Sequence, residues 1–150
     1  MGGKRTLNVR ISNMGKLRQS AATLGFYGDD LDPDEITMLF GTTPTVGVVK
    51  GGRWITSTGF EKIAYTGSWR INAEYSEPED LNRQIKDLLA PLTSDLTIWH
   101  DLTRRYRLVM FCGLWLSTFN DGLELSPQSL GLLAARGLIL DLDIYRGAPT

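Results

Sequence analysis

Leu31-Asp32-Pro33-Asp34-Glu35-Ile36-Thr37-Met38-Leu39 and, at a constant offset of 94 residues, Leu125-Ser126-Pro127-Gln128-Ser129-Leu130-Gly131-Leu132-Leu133 carry the reading of the fold. Each opens with an oxygen-bearing side chain, Asp32 or Ser126, able to accept from the orphan N–H groups of a helix start. Proline follows at the first helical position, where its missing N–H costs nothing. Glu35 stands at a capping-box spacing from Asp32. Ile36, Leu39 and Phe40 form one apolar stripe, and Gly41 and Gly137 end the two segments. Two short helices with marked beginnings and ends are therefore expected.

Outward from the first helix, Ser20 to Tyr27 reads as a strand closed by Gly28-Asp29-Asp30. Thr43 to Val49 reads as extended, and Lys50-Gly51-Gly52-Arg53 as a hairpin turn into Trp54-Ile55-Thr56. From Ser68 to Tyr75 the alternation is clean: Trp69, Ile71, Ala73 and Tyr75 face one way, Ser68, Arg70, Asn72 and Glu74 the other. That is the pattern of a half-buried antiparallel strand. Ser76 and Glu79 have a capping-box spacing ahead of a helix with the stripe Leu81, Ile85, Leu88, Leu89 and Leu92, and Pro91 at its end. A shorter helical segment around Leu96, Trp99 and Leu102 leads into Tyr106 to Leu116. This run is apolar on both faces and belongs in the middle of a covered sheet. After the second echo segment, Leu138 to Tyr145 closes the sheet with Leu138, Leu140, Leu142 and Ile144 inward.

These elements predict the α+β class: a mixed β-sheet with helices packed on one face. The echo predicts a ferredoxin-like pseudo-twofold of two strand-helix-strand halves. Residues 1–18 form a basic N-terminal arm and 19–150 a single α+β domain, a usual domain size. Lys4, Arg5, Arg10, Lys16 and Arg18 give residues 1–28 a charge of +5 with no acid, so the rest sums to −6. The arm alternates Leu7, Val9 and Ile11 like a short strand. Leu108 to Leu116, the longest strongly apolar run, falls far short of the ~20 residues of a bilayer-spanning helix, so no membrane association is expected. No apolar block follows Met1-Gly2-Gly3-Lys4-Arg5, which is unlike a secretory signal. The one cysteine, Cys112, fits a reducing compartment, and the cytoplasm is the expected location.

The order of several short motifs resembles a family of small, mostly bacterial proteins, domain of unknown function 4279. The resemblance rests on Leu31 to Thr37 with Gly41 and Pro44-Thr45, on Thr66-Gly67-Ser68-Trp69, on Asp80-Leu81 to Leu88-Leu89, and on the closing Asp141-Leu142-Asp143-Ile144-Tyr145. It covers roughly residues 20–146. It implies no catalytic residues. Small bacterial domains of this kind include immunity proteins that neutralise toxins, which makes an interaction role the expectation it supports.

Candidate chemistry is sparse. Asp29-Asp30-Leu31-Asp32 could offer carboxylates to a hard cation, but Asp32 is wanted as a cap and no calcium-loop spacing follows. Asp141 and Asp143 project from one face of a strand ~7 Å apart, a weak alternative metal or acid–base pair. His100 is the single histidine and Cys112 sits in an apolar face, so neither a zinc set nor an activated thiol is available. Gly47 to Gly52 lacks phosphate-loop spacing. Arg104-Arg105-Tyr106-Arg107 could engage phosphate and a stacked base, yet the net acidic body argues against nucleic acid. Trp54, beside a glycine turn, is the tryptophan expected to be partly exposed.

The sequence therefore points to a non-catalytic domain without cofactors that binds another protein, with an immunity-type inhibitor as the sharpest form. The partner-binding residues expected are Asp29, Asp30, Trp54 and Asp121. A metal-assisted hydrolase using Asp141 and Asp143, or a small-ligand sensor, is the alternative. An edge strand could also pair two copies into a homodimer.

Overall fold

The structure, a computed structural model, describes residues 17–146. The expected N-terminal arm lies almost wholly outside the described residues. Seven strands and four helices follow in the order β1 (Gln19–Gly28), α1 (Pro33–Phe40), β2 (Val46–Val48), β3 (Arg53–Ile55), β4 (Glu61–Ile63), β5 (Gly67–Asn72), α2 (Leu81–Leu89), α3 (Leu96–Arg105), β6 (Arg107–Leu116), α4 (Pro127–Ala135) and β7 (Ile139–Arg146). The main sheet is mixed, ordered β2-β5-β1-β6-β7, and β3 and β4 form a separate ribbon. All pairs in the main sheet are antiparallel except β6 with β7. The α+β class and the packing of helices on one sheet face are as the sequence predicts.

The echo segments become α1 and α4. Asp32 accepts from the Asp34 N–H at 3.0 Å, and Ser126 from the Ser129 N–H at 3.1 Å. Gly41 and Gly137 adopt φ of 64° and 67°, the left-handed turn that a Cβ would strain. Their surroundings differ, however. Between β1 and β2 the sheet inserts β5, whereas β6 and β7 are direct parallel neighbours. With the β3–β4 ribbon set aside and α2 and α3 taken as one connection, the chain from β1 to β6 traces a strand-helix-strand-strand-helix-strand path, to which α4 and β7 add one further parallel unit. The two echo segments thus sit in units of unlike connectivity.

The core lies between the helices and one face of the sheet. Leu24 and Phe26 of β1, Trp69 of β5 and Leu108, Met110 and Cys112 of β6 meet Ile36, Phe40, Ile85, Trp99 and Leu102 of the helices. Phe26, Phe40, Trp69 and Trp99 form its aromatic centre, with ring centroids 5.2 to 5.9 Å apart. Both buried indoles are satisfied: Trp69 donates to the Thr37 hydroxyl at 3.0 Å and Trp99 to the Thr93 carbonyl at 2.7 Å.

Several local expectations are corrected. Leu39 is exposed, because α1 presents only Ile36 and Phe40 to the sheet. Glu35 does not reach back to its cap; it pairs with Arg105 of α3 at 2.7 Å. The second capping box is displaced: Asp80 caps α2, while Ser76 pairs with Ser20 beside β1 and Glu79 accepts from the Leu81 N–H. The Gly51-Gly52 turn forms, but the chain beyond it leaves the main sheet. β2 pairs with β5, and β3 pairs with the unforeseen β4. The clearest correction concerns β6 and β7. β6 is not fully covered on both faces, since Phe111 is exposed, and Leu142 and Ile144 do point to the helix side but stay exposed there.

Candidate functional site

The sheet face opposite the helices carries the even-numbered positions of β5 and the odd-numbered positions of β1, β6 and β7, as the register requires. Two glycines shape it. A Cβ added at Gly25 would collide with the Tyr27 ring, and one at Gly113 would stand 2.9 Å from the Trp115 indole. Both aromatics therefore fold back along their own strands and lie over glycine. Tyr145 of β7 stacks on Trp115 at 5.0 Å with 16° between planes, and Tyr75 meets the same indole at 5.6 Å. Beside this row Phe111, Thr23 and Ala21 complete a shallow groove of about 190 Å³. Burial raises the Tyr27 phenol above its ordinary value, against the opposing pull of Arg70 and Arg107. At the far side of the face Trp54 stacks under the Arg70 guanidinium at 4.5 Å, which ties the β3–β4 ribbon to β5.

β7 is the outer strand, and among the described residues its outer side has no neighbour. A nine-residue α4 spans about 13 Å, and an eight-residue β7 spans about 26 Å, so α4 can shield only part of it. Gly137 turns the chain directly from the end of α4 into β7, so the shielded part is the first half. Leu138 is buried and Leu140 half-buried. Leu142 and Ile144, farther along, are 43% and 59% exposed. With Leu114, Leu116, Leu123, Leu125 and the expected partner-binding residue Asp121 they line a mostly apolar groove of about 380 Å³ on the helix side. On the other side of the same strand stand Asp141 and Asp143. The Tyr145 hydroxyl donates to Asp143, which raises the phenol above its ordinary value.

The residues expected to bind a partner do not assemble. Asp29 and Asp30 lie in the exposed turn after β1, and Asp121 lies beyond the other end of the sheet, after β6. The length of β1 puts about 30 Å between them. Asp29 pairs with Lys50 at 3.0 Å, and hydrogen bonds from Lys50 and Thr66 hold its carboxyl below the usual range. Asp121 is occupied locally: it accepts from the Ser117 and Thr118 N–H groups at 2.7 and 2.9 Å and so closes its own loop. Trp54 is half-buried under Arg70, on the ribbon.

The alternative site fares differently. Asp141 and Asp143 do share the open face, but among the described residues no third His, Cys, Asp or Glu joins them as a metal set. His100 faces the Ala135 carbonyl at 3.1 Å. Burial pushes the Cys112 thiol up to about 12, away from nucleophilic use. Arg105, of the basic cluster, is engaged by Glu35 and by the Tyr106 hydroxyl.

Four residues escaped sequence reading: Phe111, Tyr145, Leu142 and Ile144. Their apolar character suggested burial. The alternation of Asp141 and Asp143 with Leu142 and Ile144 marks the face of the acids as the wet one, and so leaves the exposure of the Leu142 and Ile144 face unannounced.

No curated protein and no solved structure matches this chain. A family model described as Domain of unknown function (DUF4279) matches residues 17–147, spanning the sheet, its helices and β7, and the chain belongs to that family.

Proposed function

We propose that this chain is a non-catalytic protein-binding domain, an immunity-type inhibitor that covers the active site of a toxin in the bacterial cytoplasm. The observation that carries the reading is β7: an outer strand, eight residues long, with no neighbour on its outer side among the described residues and exposed apolar or aromatic side chains on both of its faces. Monomeric proteins seldom group such residues except where something docks, and aromatic anchors supply most of the energy of protein interfaces. The partner is another protein rather than nucleic acid or membrane, because the acids on β7 repel phosphate and headgroup alike. The absence of catalysis is argued from the residues: His100 faces a backbone carbonyl, the Cys112 thiol is buried with its pKa pushed up, and among the described residues no three His, Cys, Asp or Glu form a metal set. The echo of residues 31–39 in 125–133 is read as the trace of an internal duplication whose halves diverged in connectivity.

The test is a tagged pull-down from host lysate at low and high salt, followed by an activity assay on the captured protein. A stoichiometric partner that survives salt and is inhibited at one-to-one ratio supports the proposal. A partner whose activity is unchanged removes the inhibitor reading, and no stoichiometric partner under any growth condition removes protein binding itself.

A further inference from the structure

We propose that the free side of β7 docks an extended segment of the partner in which apolar residues alternate with Lys or Arg; this deepens the protein-binding reading and rests on it. The pattern follows from strand parity. A strand added to an open sheet edge bonds through its backbone and sends successive side chains to opposite faces. On the helix side they meet Leu142 and Ile144 and the apolar groove that runs on to Leu116 and Leu125. On the open side they lie beside Asp141, which is exposed, and Asp143, which is half-buried. Neither carboxylate has a Lys or Arg in ion-pair reach among the described residues. Their separation of ~7 Å is also the spacing of every second residue of an incoming strand, so two basic side chains at alternate positions match both acids.

The same acids disfavour a second copy of this chain. Antiparallel self-pairing centred on residues 141–143 sets Asp141 and Asp143 against one another, and like charges across a pair of strands destabilise it. The edge is thus guarded against itself and left open to a basic strand.

The test is fluorescence anisotropy of the full chain with a labelled Lys-Val-Lys-Val-Lys-Val-Lys peptide and a Glu/Val counterpart, combined with amide exchange. Saturable binding of the Lys/Val peptide alone is expected, with new protection confined to β7. The Asp141→Asn/Asp143→Asn variant should weaken binding about tenfold and flatten its salt dependence, and Ile144→Asp should weaken it by a similar factor. Far-ultraviolet circular dichroism checks that both variants stay folded. Equal binding of both peptides, binding unchanged in both variants, or protection away from β7 overturns the proposal. Binding seen only after residues 1–16 are deleted also overturns it, and assigns the edge to the chain's own arm. A natural partner that binds the wild type and Ile144→Asp equally removes this docking mode while leaving the protein-binding reading intact.

Discussion

Trp115 lies across Gly113, two residues before it on the same strand, so close that a single added methyl group would stand 2.9 Å from the indole. Because Trp115 stacks on Tyr145 of the neighbouring strand, Gly113 sets the shape of the open sheet face without touching anything that would dock there. Aromatic rings that lie flat expose their faces; rings that stand up expose their edges.

Gly113→Ala should therefore lift Trp115 and break its stack with Tyr145. The expected cost is about 1 kcal/mol, the low end for overpacking, because part of the ring can swing toward solvent. Near-ultraviolet circular dichroism should lose intensity while the far-ultraviolet spectrum is kept. An unchanged aromatic spectrum would refute the stacked arrangement.

Phe111 and Tyr145 contribute to the surface more than to stability. They are 37% and 40% exposed, so Phe111→Ser with Tyr145→Ser should lower the unfolding free energy measured in urea only slightly, by about 1 kcal/mol in total. Capture of the partner should be lost. A large loss of stability would mean that this face is covered in the free protein.

Phe26 is the opposite case. It is fully buried at the crossing of Phe40, Trp69 and Trp99. Phe26→Ala should cost about 3–5 kcal/mol in urea unfolding, and Met38→Ala, on the exposed side of α1, should stay within about 0.5 kcal/mol of wild type.

Asp121 provides a pH signature. The Thr118 N–H, followed by its further hydrogen bonds to Ser117 and Thr118, holds this carboxyl below the ordinary range. A depressed folded value means that the loop's contribution is fully present above the unfolded carboxyl value of about 3.9 and is lost as pH falls through the lower folded value. The Ser117 and Thr118 amide resonances should titrate with a midpoint below about 3.9, and Asp121→Asn should abolish that titration. A midpoint at or above the unfolded value would refute the hydrogen bonding.

Cys112 should be silent. Burial, with the Asp141 charge as a smaller cause, pushes its thiol up to about 12. Ellman's reagent at pH 8 should label it only once denaturant opens the sheet. Rapid labelling of the native protein would contradict the burial of β6.

How much of this was readable in advance divides by distance along the chain. The helix starts at Asp32 and Ser126, the stops at Gly41 and Gly137, and the stripe from Leu81 to Leu92 are satisfied by groups a few residues apart, so the sequence alone determines them. It also determines the class, because strands of period two beside helices with a single apolar stripe leave few ways to bury both.

Only the tertiary structure decides which apolar residues stay wet. Leu142 and Ile144 have the same chemistry as Leu138 and Leu140; what separates them is that α4 is about half as long as β7. The separation of Asp29 from Asp121, the insertion of β5 between β1 and β2, and the meeting of Trp115 with Tyr145 likewise depend on strand order and register. Those are set by contacts between residues far apart in sequence, and no local spacing records them.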